Sequence, residues 1–244
     1  MSSGTKPTGT AGDEEAARWV RRMFGSVAHR YDLLNHLLSF NVDRSWRRRT
    51  VERVAAVLSM PSARVLDLCC GTGDLMLALE TRRGAAVWGC DFSRPMLEIA
   101  RRKLDAAGSR SSLIEADALR LPLPSNSIDL VTVAFGFRNL ASYRAGLEEM
   151  ARVLRPGGVA AILEFSRPPS RLFARLYDVY SRRVLPVIGG ALSGSREAYT
   201  YLPDSVRRFP DAGTLAADMR GAGFREVTFE RMTAGIVALH LGRR

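Results

Sequence analysis

Cysteine and histidine are scarce in this chain of 244 residues. The three cysteines, Cys69, Cys70 and Cys90, form no Cys-x-x-Cys pair, and the three histidines are His29, His36 and His240. Neither set has the spacing typical of metal ligands or of a disulfide framework. The sequence therefore predicts no metal site, and we expect the cysteines to be small buried residues.

Long apolar segments are also missing. A membrane-spanning helix needs roughly 20 apolar residues, and the best candidate, residues 184–192, is short and directly follows two arginines. Residues 1–15 are rich in Ser, Thr and Gly, with no apolar periodicity and no hydrophobic region of a secretory signal. We interpret them as a disordered tail, and we expect a cytoplasmic protein that is soluble or associated with the inner face of the membrane.

Lysine is almost absent. Only Lys6 and Lys103 occur, so arginine carries nearly all the positive charge behind a formal net charge of +11. A basic surface suits nucleic acid, an anionic membrane or an acidic substrate, and an arginine-favouring codon bias would give the same composition without a function. One cluster crowds the N-terminal segment: Arg18, Arg21, Arg22, Arg30, Arg44, Arg47, Arg48, Arg49 and Arg53.

Strand-like and helix-like segments alternate between residues 64 and 165. This alternation predicts an α/β fold with a mostly parallel sheet flanked by helices. Two apolar runs near the end, 226–230 and 236–241, predict an antiparallel hairpin that completes the sheet. We predict further strands at 64–68, 86–90, 113–115, 128–135 and 159–165, and helices at 74–83, after Ser93, at 143–154 and at 212–222. Pro156-Gly157-Gly158 is expected to end the helix that precedes it.

Residues 166–210 interrupt this alternation and are too long for an ordinary loop. We interpret them as an insertion over the active site, with helices near 172–184 and a mobile stretch near 189–195. The rest of the chain after the tail, residues 16–244, is predicted to form a single domain. Within it, residues 16–60 form a helical segment on the substrate side.

The first motif that carries chemistry is Asp67-Leu-Cys-Cys-Gly71-Thr-Gly73. A strand that runs into closely spaced glycines and then a helix brings bare backbone and a helix N-terminus against a ligand. The spacing differs from the Gly-x-Gly-x-x-Gly of dinucleotide-binding proteins. It resembles the motif of class I S-adenosylmethionine-dependent methyltransferases, which have a Rossmann-like fold, with Cys69 in place of the first glycine. Asp67 would then reach the amino group of the methionine part of the cofactor.

Two further acidic residues follow the next two predicted strands. Asp91 comes 18 residues after Gly73, close to the roughly 20-residue spacing at which an acidic side chain meets ribose hydroxyls. Asp117 follows the third strand, where its side chain would accept a hydrogen bond from the adenine amino group while the backbone N–H of Ala118 faces a ring nitrogen. Acidic residues at three successive strand ends favour a nucleoside-containing cofactor.

Beyond this motif the chain resembles the menaquinone/ubiquinone-biosynthesis C-methyltransferases, which methylate a ring carbon of a polyprenyl quinol. The resemblance covers nearly everything after the tail. Its most selective segments are YDLLN at residues 31–35, FGFRN at 135–139 and TAGIVALH at 233–240, and YTYLPDS at 199–205 belongs to it too. It implies S-adenosyl-L-methionine as the cofactor, without a metal, and cofactor contacts at Thr72, Asp91, Asp117 and Ala118.

Methylation at a ring carbon needs a deprotonated ring hydroxyl, because the phenolate pushes charge onto the neighbouring carbon and a phenol has a pKa near 10. Arg138 is the leading candidate to stabilise that oxyanion, with Asn139 orienting it. A guanidinium is effectively never deprotonated in proteins, so we do not expect Arg138 to be the base. Tyr31, Asp32 and His29 are alternatives for the proton transfer, and the sequence does not rank them.

The leading hypothesis is therefore conversion of demethylmenaquinol to menaquinol in menaquinone biosynthesis. The alternatives are methylation of a polyprenyl benzoquinol in ubiquinone biosynthesis, methylation of RNA or another small molecule, and cofactor binding without catalysis. No RNA-binding appendage is recognisable, so nucleic acid is not an expected partner. A polyprenyl tail would suit the apolar side chains of residues 24–38 and 172–180, with the arginine cluster facing anionic lipid. A homodimer is left open.

Overall fold

A sheet of seven strands forms the centre of the molecule. The computed structural model describes residues 4, 6–7, 9–39, 41–170, 175 and 196–244, except the side chains of 30–31, 33–38 and 196–200. The strands are β1 (Val65–Leu68), β2 (Trp88–Asp91), β3 (Ser112–Glu115), β4 (Ile128–Ala134), β5 (Leu154–Phe165), β6 (Arg225–Met232) and β7 (Val237–Arg243). Their order across the sheet is β3-β2-β1-β4-β5-β7-β6.

The first five strands run parallel, and β7 pairs antiparallel with both β5 and β6. Strands of a parallel sheet are covered on both faces and therefore read as continuous apolar runs, and all four residues of β1 are buried. The chain moves outward from β1 to β2 and β3, then returns to β4 on the other side of β1. In open α/β sheets, such a switch point forms a crevice at the carboxyl ends of the strands.

Helices cover both faces of this sheet. One apolar core lies between the sheet and the helices α6 and α8, and a second lies between the sheet and the helices α2 to α4. The helices are α1 (Asp13–Leu38), α2 (Val42–Arg53), α3 (Ala55–Leu58), α4 (Asp74–Arg83), α5 (Arg94–Ala106), α6 (Tyr143–Val153), α7 (Arg196–Arg208) and α8 (Ala212–Gly221). Within the described part of the chain, no helix is long and apolar enough to cross a membrane.

Several helix ends follow from single residues. The Ser142 hydroxyl accepts the backbone N–H of Ala145 at the start of α6, and Asp211 caps α8 in the same way, which satisfies amides that have no partner within the helix. Gly84 ends α4 with a φ of 70°, the left-handed conformation that glycine adopts without strain.

The predicted α/β fold, with a mostly parallel sheet and a C-terminal antiparallel hairpin, is confirmed. The predicted helix 74–83 has the bounds of α4, and the other predicted strands and helices of the sheet region are found within a few residues of their expected ends. The hairpin is longer than predicted, since β6 and β7 reach Met232 and Arg243. It is joined to the parallel strands through β7, whose partner is β5.

Two predicted boundaries are wrong. Helix α1 begins at Asp13, inside the segment interpreted as a tail, because three acidic residues occupy its first turn and favour the positive end of the helix dipole. Pro156-Gly157-Gly158 does not separate α6 from a strand, since β5 already begins at Leu154 and the register against β4 shifts at this point. The Gly157 amide donates to the carbonyl of Arg244, so the segment is held inside the sheet as a bulge.

Part of the predicted insertion lies outside the described residues. This applies to the helix predicted near 172–184, apart from the backbone at residue 175, and to the stretch predicted near 189–195. The described end of the insertion is α7, which contains Pro203.

Candidate active site

An open, mostly apolar cavity lies at the carboxyl ends of the parallel strands, where the order of the sheet reverses. Its wall combines the loop after β1, the end of β2, residues 116–119 after β3 and the loop after β4. Helix α1 closes one side with the side chains of Ala17 and Phe24. The predicted cofactor segments thus meet around one space.

The loop after β1 turns sharply against this cavity. Gly71 and Gly73 have φ angles of 54° and 86°, which glycine adopts without strain. Cys69, which stands where the methyltransferase motif has glycine, also has a φ of 54°, an uncommon conformation for a residue with a Cβ. A Cβ added at Gly136 would overlap the Cβ of Cys69. A glycine on the neighbouring loop therefore makes room for the cysteine.

Asp91 lies at the end of β2, on the cavity wall. Its Oδ2 accepts the Gly71 amide at 2.9 Å and its Oδ1 accepts the Ser93 amide at 2.8 Å. Burial nevertheless raises the pKa of Asp91 to about 6, against the effect of these two amides and that of Phe92. Each carboxylate oxygen can accept a second hydrogen bond, so the side chain can still bind hydroxyl groups of a ligand.

Asp67 is buried within β1 and does not line the cavity. Its Oδ1 accepts the Thr132 hydroxyl at 2.7 Å, and among the described residues no donor is within hydrogen-bonding distance of Oδ2. Burial raises the pKa of Asp67 to about 7, and the Thr132 hydrogen bond and the nearby charge of Arg47 oppose this rise. Its predicted contact with the cofactor stays a prediction, because its described hydrogen bond is to Thr132 of β4.

Thr72 turns its side chain away from the cavity. Its hydroxyl donates to Asp32 of α1 at 2.5 Å and accepts from Lys103 of α5 at 3.2 Å. Lys103 also contacts Asp32 and Asp74, at 2.6 Å each. Asp32, one of the alternatives for proton transfer, is therefore engaged in fixing this loop. Sequence reasoning missed Lys103, whose only signal was the scarcity of lysine.

Asp117 and Ala118 line the cavity on the side of β3. The Oδ1 of Asp117 accepts the Leu119 amide at 2.9 Å, which shapes the turn after the strand. Both residues are thus brought to the same space as Asp91, on the neighbouring strand. Their predicted contacts with an adenine ring fit this placement.

The loop after β4 carries the FGFRN motif. Phe135 has a φ of 59°, and its carbonyl accepts from the Arg138 guanidinium and, at 3.4 Å, from the Asn139 amide. Arg138 is buried and pairs with the buried Glu164 at 3.0 Å. Its Nε donates to the Ser205 hydroxyl at 3.4 Å. The described contacts of Arg138 therefore hold the loop, β5 and α7 together.

Asn139 lines the cavity, whereas Arg138 does not. The Tyr201 hydroxyl of α7 donates to Oδ1 of Asn139 at 3.2 Å, and the Tyr201 ring packs on Trp19 of α1 with centroids 5.2 Å apart. Burial raises the pKa of Tyr201 to about 12, so it stays a neutral donor. Sequence reasoning noted the segment around Tyr201 and gave this residue no role.

The remaining candidates are less well placed. Tyr31 belongs to α1, but its side chain lies outside the described residues, and His29 is exposed on the same helix. Cys70 and Cys90 are buried, and burial raises the pKa of Cys90 to about 12, which disfavours the reactive thiolate. Within the described residues, no group of three His, Cys, Asp or Glu side chains is arranged to hold a metal ion.

Among solved structures, a methyltransferase of Thermotoga maritima described as S-adenosylmethionine-dependent and as a possible histamine N-methyltransferase has a similar fold. The TM-score is 0.65, with 19% identity, over 91% of this chain and 98% of that chain. At this level of identity the likeness establishes the class I methyltransferase fold and leaves the substrate undetermined.

Comparison of sequences identifies the family more specifically than this likeness in fold does. The chain is 52% identical to the demethylmenaquinone methyltransferase of Thermus thermophilus over 91% of its own length and 100% of that protein. It is 45% identical to the ubiquinone/menaquinone biosynthesis C-methyltransferase UbiE of Geobacter sulfurreducens, over 94% of this chain and 90% of that protein. The model of the ubiE/COQ5 methyltransferase family matches residues 10–244. The chain therefore belongs to the ubiE/COQ5 methyltransferase family.

Proposed function

We propose that this protein methylates a ring carbon of a polyprenyl quinol with S-adenosylmethionine, and that its principal substrate is demethylmenaquinol. The observation that carries the proposal is the shared cavity, in which the strand-end residues Asp91 and Asp117 face the loop with Asn139. Relatives named demethylmenaquinone methyltransferase support the substrate. When bound, S-adenosylmethionine supplies an electrophilic methyl group on a sulfonium, which departs as a neutral thioether.

The residues around the cavity fit this cofactor. Gly71 has open space where a Cβ would stand, so the loop leaves room for close approach of a ligand to the backbone. Asp91 would accept the ribose hydroxyls, and a carboxylate there rejects a phosphorylated ribose by charge repulsion. Asp117 and the amide of Ala118 would meet the adenine.

An aromatic surface favours a flat, apolar ring as the other reactant. Phe135 lies on the cavity wall and packs on Phe165 and Trp46, with centroid distances of 5.0 and 5.8 Å. Aromatic side chains bind rings through apolar contact and through offset or edge-on packing. A quinol placed against Phe135 would have its hydroxyl near Asn139.

The Asn139 amide group would orient the ring hydroxyl, and Tyr201 holds this amide through its Oδ1. Alignment of the reacting atoms accounts for much of catalysis in a transfer that needs no nucleophile from the protein. The role of Arg138 in stabilising the oxyanion stays a prediction, and its buried pair with Glu164 favours a role in positioning Asn139. The group that takes the proton stays open between Tyr31, Asp32 and His29.

The exposed arginines support a peripheral contact with an anionic membrane on the cytoplasmic side. A polyprenyl tail has a strong affinity for the bilayer, at about 0.8 kcal/mol per buried CH₂, so the ring is most accessible at the membrane surface. Six arginines of the N-terminal cluster are exposed: Arg18, Arg21, Arg22, Arg44, Arg48 and Arg53. The other two whose side chains are described, Arg47 and Arg49, are partly buried and pair with acidic residues of the protein.

A transfer assay with radiolabelled S-adenosylmethionine tests the proposed function. We expect label in a short-tailed demethylmenaquinol, kept reduced, and little or none in bulk tRNA. A short-tailed benzoquinol in a parallel reaction tests the second candidate, which the relatives named for both pathways support. Label in tRNA but in neither quinol would contradict the proposal. Binding of the cofactor without methyl transfer to demethylmenaquinol, benzoquinol or tRNA would contradict it as well.

A further inference from the structure

Lys103 is one of only two lysines in the chain, and it lies at the meeting point of three elements. Its ammonium contacts Asp32 of α1 and Asp74 of α4 at 2.6 Å each, and the hydroxyl of Thr72 in the cofactor loop at 3.2 Å. An ammonium has three N–H donors, and each can serve one of these oxygens. Its side chain is 27% exposed, so water screens these contacts only in part.

The contacts around Lys103 close into a ring. The Thr72 hydroxyl donates to one oxygen of Asp32, and Lys103 binds the other oxygen of Asp32 and the hydroxyl itself. The direction of the Thr72 hydroxyl is therefore fixed from both sides. The second oxygen of Asp74 faces Arg47 at 3.5 Å, so the carboxylates around Lys103 are compensated by two cations.

Helix α1 forms part of the cavity wall. Ala17 and Phe24 line the cavity, and Asp32 continues the same helix to the cofactor loop. Near Ala17, Arg21 of α1 pairs with Glu115 at the end of β3, at 2.5 Å. A ligand in the cavity therefore touches a helix that polar contacts tie to the end of β3 at one place and to the cofactor loop and α5 at another.

We propose that Lys103 is a positioning residue that couples α1 to the cofactor loop, so that binding of the cofactor orders α1 and α1 in turn strengthens binding. This inference rests on the proposed S-adenosylmethionine site. By linkage, the effect of the cofactor on α1 equals the effect of α1 on cofactor affinity. A loop held only by its own backbone would bind the cofactor without any change in α1.

Hydrogen exchange with S-adenosylhomocysteine as the probe tests the coupling in the full chain. In the wild type, we expect the probe to protect the amides of residues 71–73 and those of α1 near Asp32. In Lys103→Met at saturating probe, the loop should still be protected while α1 exchanges as in the ligand-free protein. Calorimetry should show affinity for the probe weakened at least about 5-fold, the lower end of typical coupling.

Arg102→Met is the matched control, because it removes one positive charge from the adjacent, exposed position of α5. It should leave both the protection of α1 and the affinity unchanged. Lys103→Arg should restore part of the coupling, since a guanidinium keeps the charge but lacks the compact geometry of an ammonium. Asp32→Asn tests the same contact from the other element if Lys103→Met does not fold.

Protection of α1 in Lys103→Met equal to that of the wild type would overturn the coupling. Absence of probe binding in the wild type would instead overturn the proposed function, and the coupling with it. The two failures are therefore distinguishable in one set of titrations.

Discussion

At the scale of single residues, the Asp91 carboxylate is the group whose charge state most affects the cavity. Burial raises its pKa from an ordinary 3.8 to about 6. A raised carboxyl pKa means that the folded protein holds the proton more tightly than the unfolded chain. Its contribution to stability is therefore full below pH 4 and is lost as the pH rises through about 6. Folding therefore favours the protonated carboxyl, whereas ligand binding favours the ionised carboxylate, because ribose hydroxyls donate hydrogen bonds to it.

The affinity for S-adenosylhomocysteine should accordingly fall as the pH drops below about 6, by up to about tenfold per pH unit. Binding near that pH should release a proton, which calorimetry in buffers of different ionisation enthalpy detects. Asp91→Asn should bind more weakly at neutral pH, and its affinity should lose this part of the pH dependence. Asp67→Asn removes the other buried carboxyl with a raised pKa, about 7, and should leave the fall in affinity below pH 6 in place. An Asp91→Asn profile that still falls through pH 6 would assign the titration elsewhere.

Arg138 and Glu164 form a buried ion pair whose two partners depend on each other. Removing one partner of such a pair leaves an uncompensated buried charge and costs about 3–5 kcal/mol, whereas replacing both with apolar residues of similar volume is often much less costly. Arg138→Ala should therefore lower the free energy of unfolding by about this amount. The double variant, Arg138→Met combined with Glu164→Met, should lose less of the free energy of unfolding. Urea denaturation measures both.

The same variants distinguish two roles of Arg138, which are stabilisation of the substrate oxyanion and positioning of Asn139. If Arg138 acts only on the substrate oxyanion, Arg138→Ala should lose turnover by about 10²–10³-fold with little change in stability. We expect Arg138→Ala to lose both turnover and stability. In the double variant, stability should be largely restored while turnover stays low. Arg138→Lys should recover only part of either property, because it cannot reproduce the planar fork.

The sequence could predict which candidate residues lie at strand ends, because this position depends on the local order of strand and turn along the chain. Asp91 ends β2, Asp117 and Gly71 follow β3 and β1, and the carboxyl ends of neighbouring parallel strands meet at one edge of the sheet. The partners of Arg138 and Thr72 could not be predicted in this way. Glu164 and Lys103 reach them across long sequence separations, through packing of elements whose relative placement no local pattern contains.

At the scale of elements, periodicity predicted the helices and strands of the sheet region well. Buried strands read as apolar runs, and α5 buries Met96, Leu97, Ala100 and Leu104 at helical spacing. The bulge at residues 156–158 was missed, because Pro-Gly-Gly usually breaks an element and the backbone partner that keeps it in the sheet lies at residue 244. The start of α1 was missed because its first turn is acidic rather than apolar.

Gly25 offers a test of α1 as an element. It lies in the helix interior, where glycine costs about 0.8–1.0 kcal/mol relative to alanine, and an added Cβ would meet only Pro95 of α5, at an ordinary 3.6 Å. Gly25→Ala should therefore raise the free energy of unfolding by roughly 0.5–1 kcal/mol. Gly12→Ala, at an open position before the helix, should have a smaller effect. A lower melting temperature for Gly25→Ala would mean that α1 packs on α5 too closely for a methyl group.

At the scale of the whole molecule, the net charge of +11 and the exposed arginines of α1 and α2 favour an anionic surface as a partner. Binding to vesicles with anionic lipid should exceed binding to neutral vesicles. It should fall as salt rises from about 0.05 to 0.5 M, because the Debye length shortens. Cosedimentation at several salt concentrations measures this.

A triple variant locates the contact. Arg18, Arg22 and Arg44 changed together to Gln should weaken vesicle binding, whereas the same change at the exposed Arg101, Arg102 and Arg120 should have less effect. An equal loss of vesicle binding in the two triple variants would indicate that total charge, rather than the N-terminal cluster, attracts the protein to lipid. Equal binding of the wild type to neutral and anionic vesicles would remove the electrostatic contact altogether.

The placement of β7 between β5 and β6 also has a consequence for synthesis. β7 is the last described strand to leave the ribosome, yet it covers the edge of β5, near the middle of the sheet. Until residues 237–243 emerge, β5 presents a row of unpaired backbone groups, which is a template for pairing with another chain. The nascent chain can therefore complete its sheet only after residues 237–243 have emerged, and its demand for chaperones should be greatest just before that point.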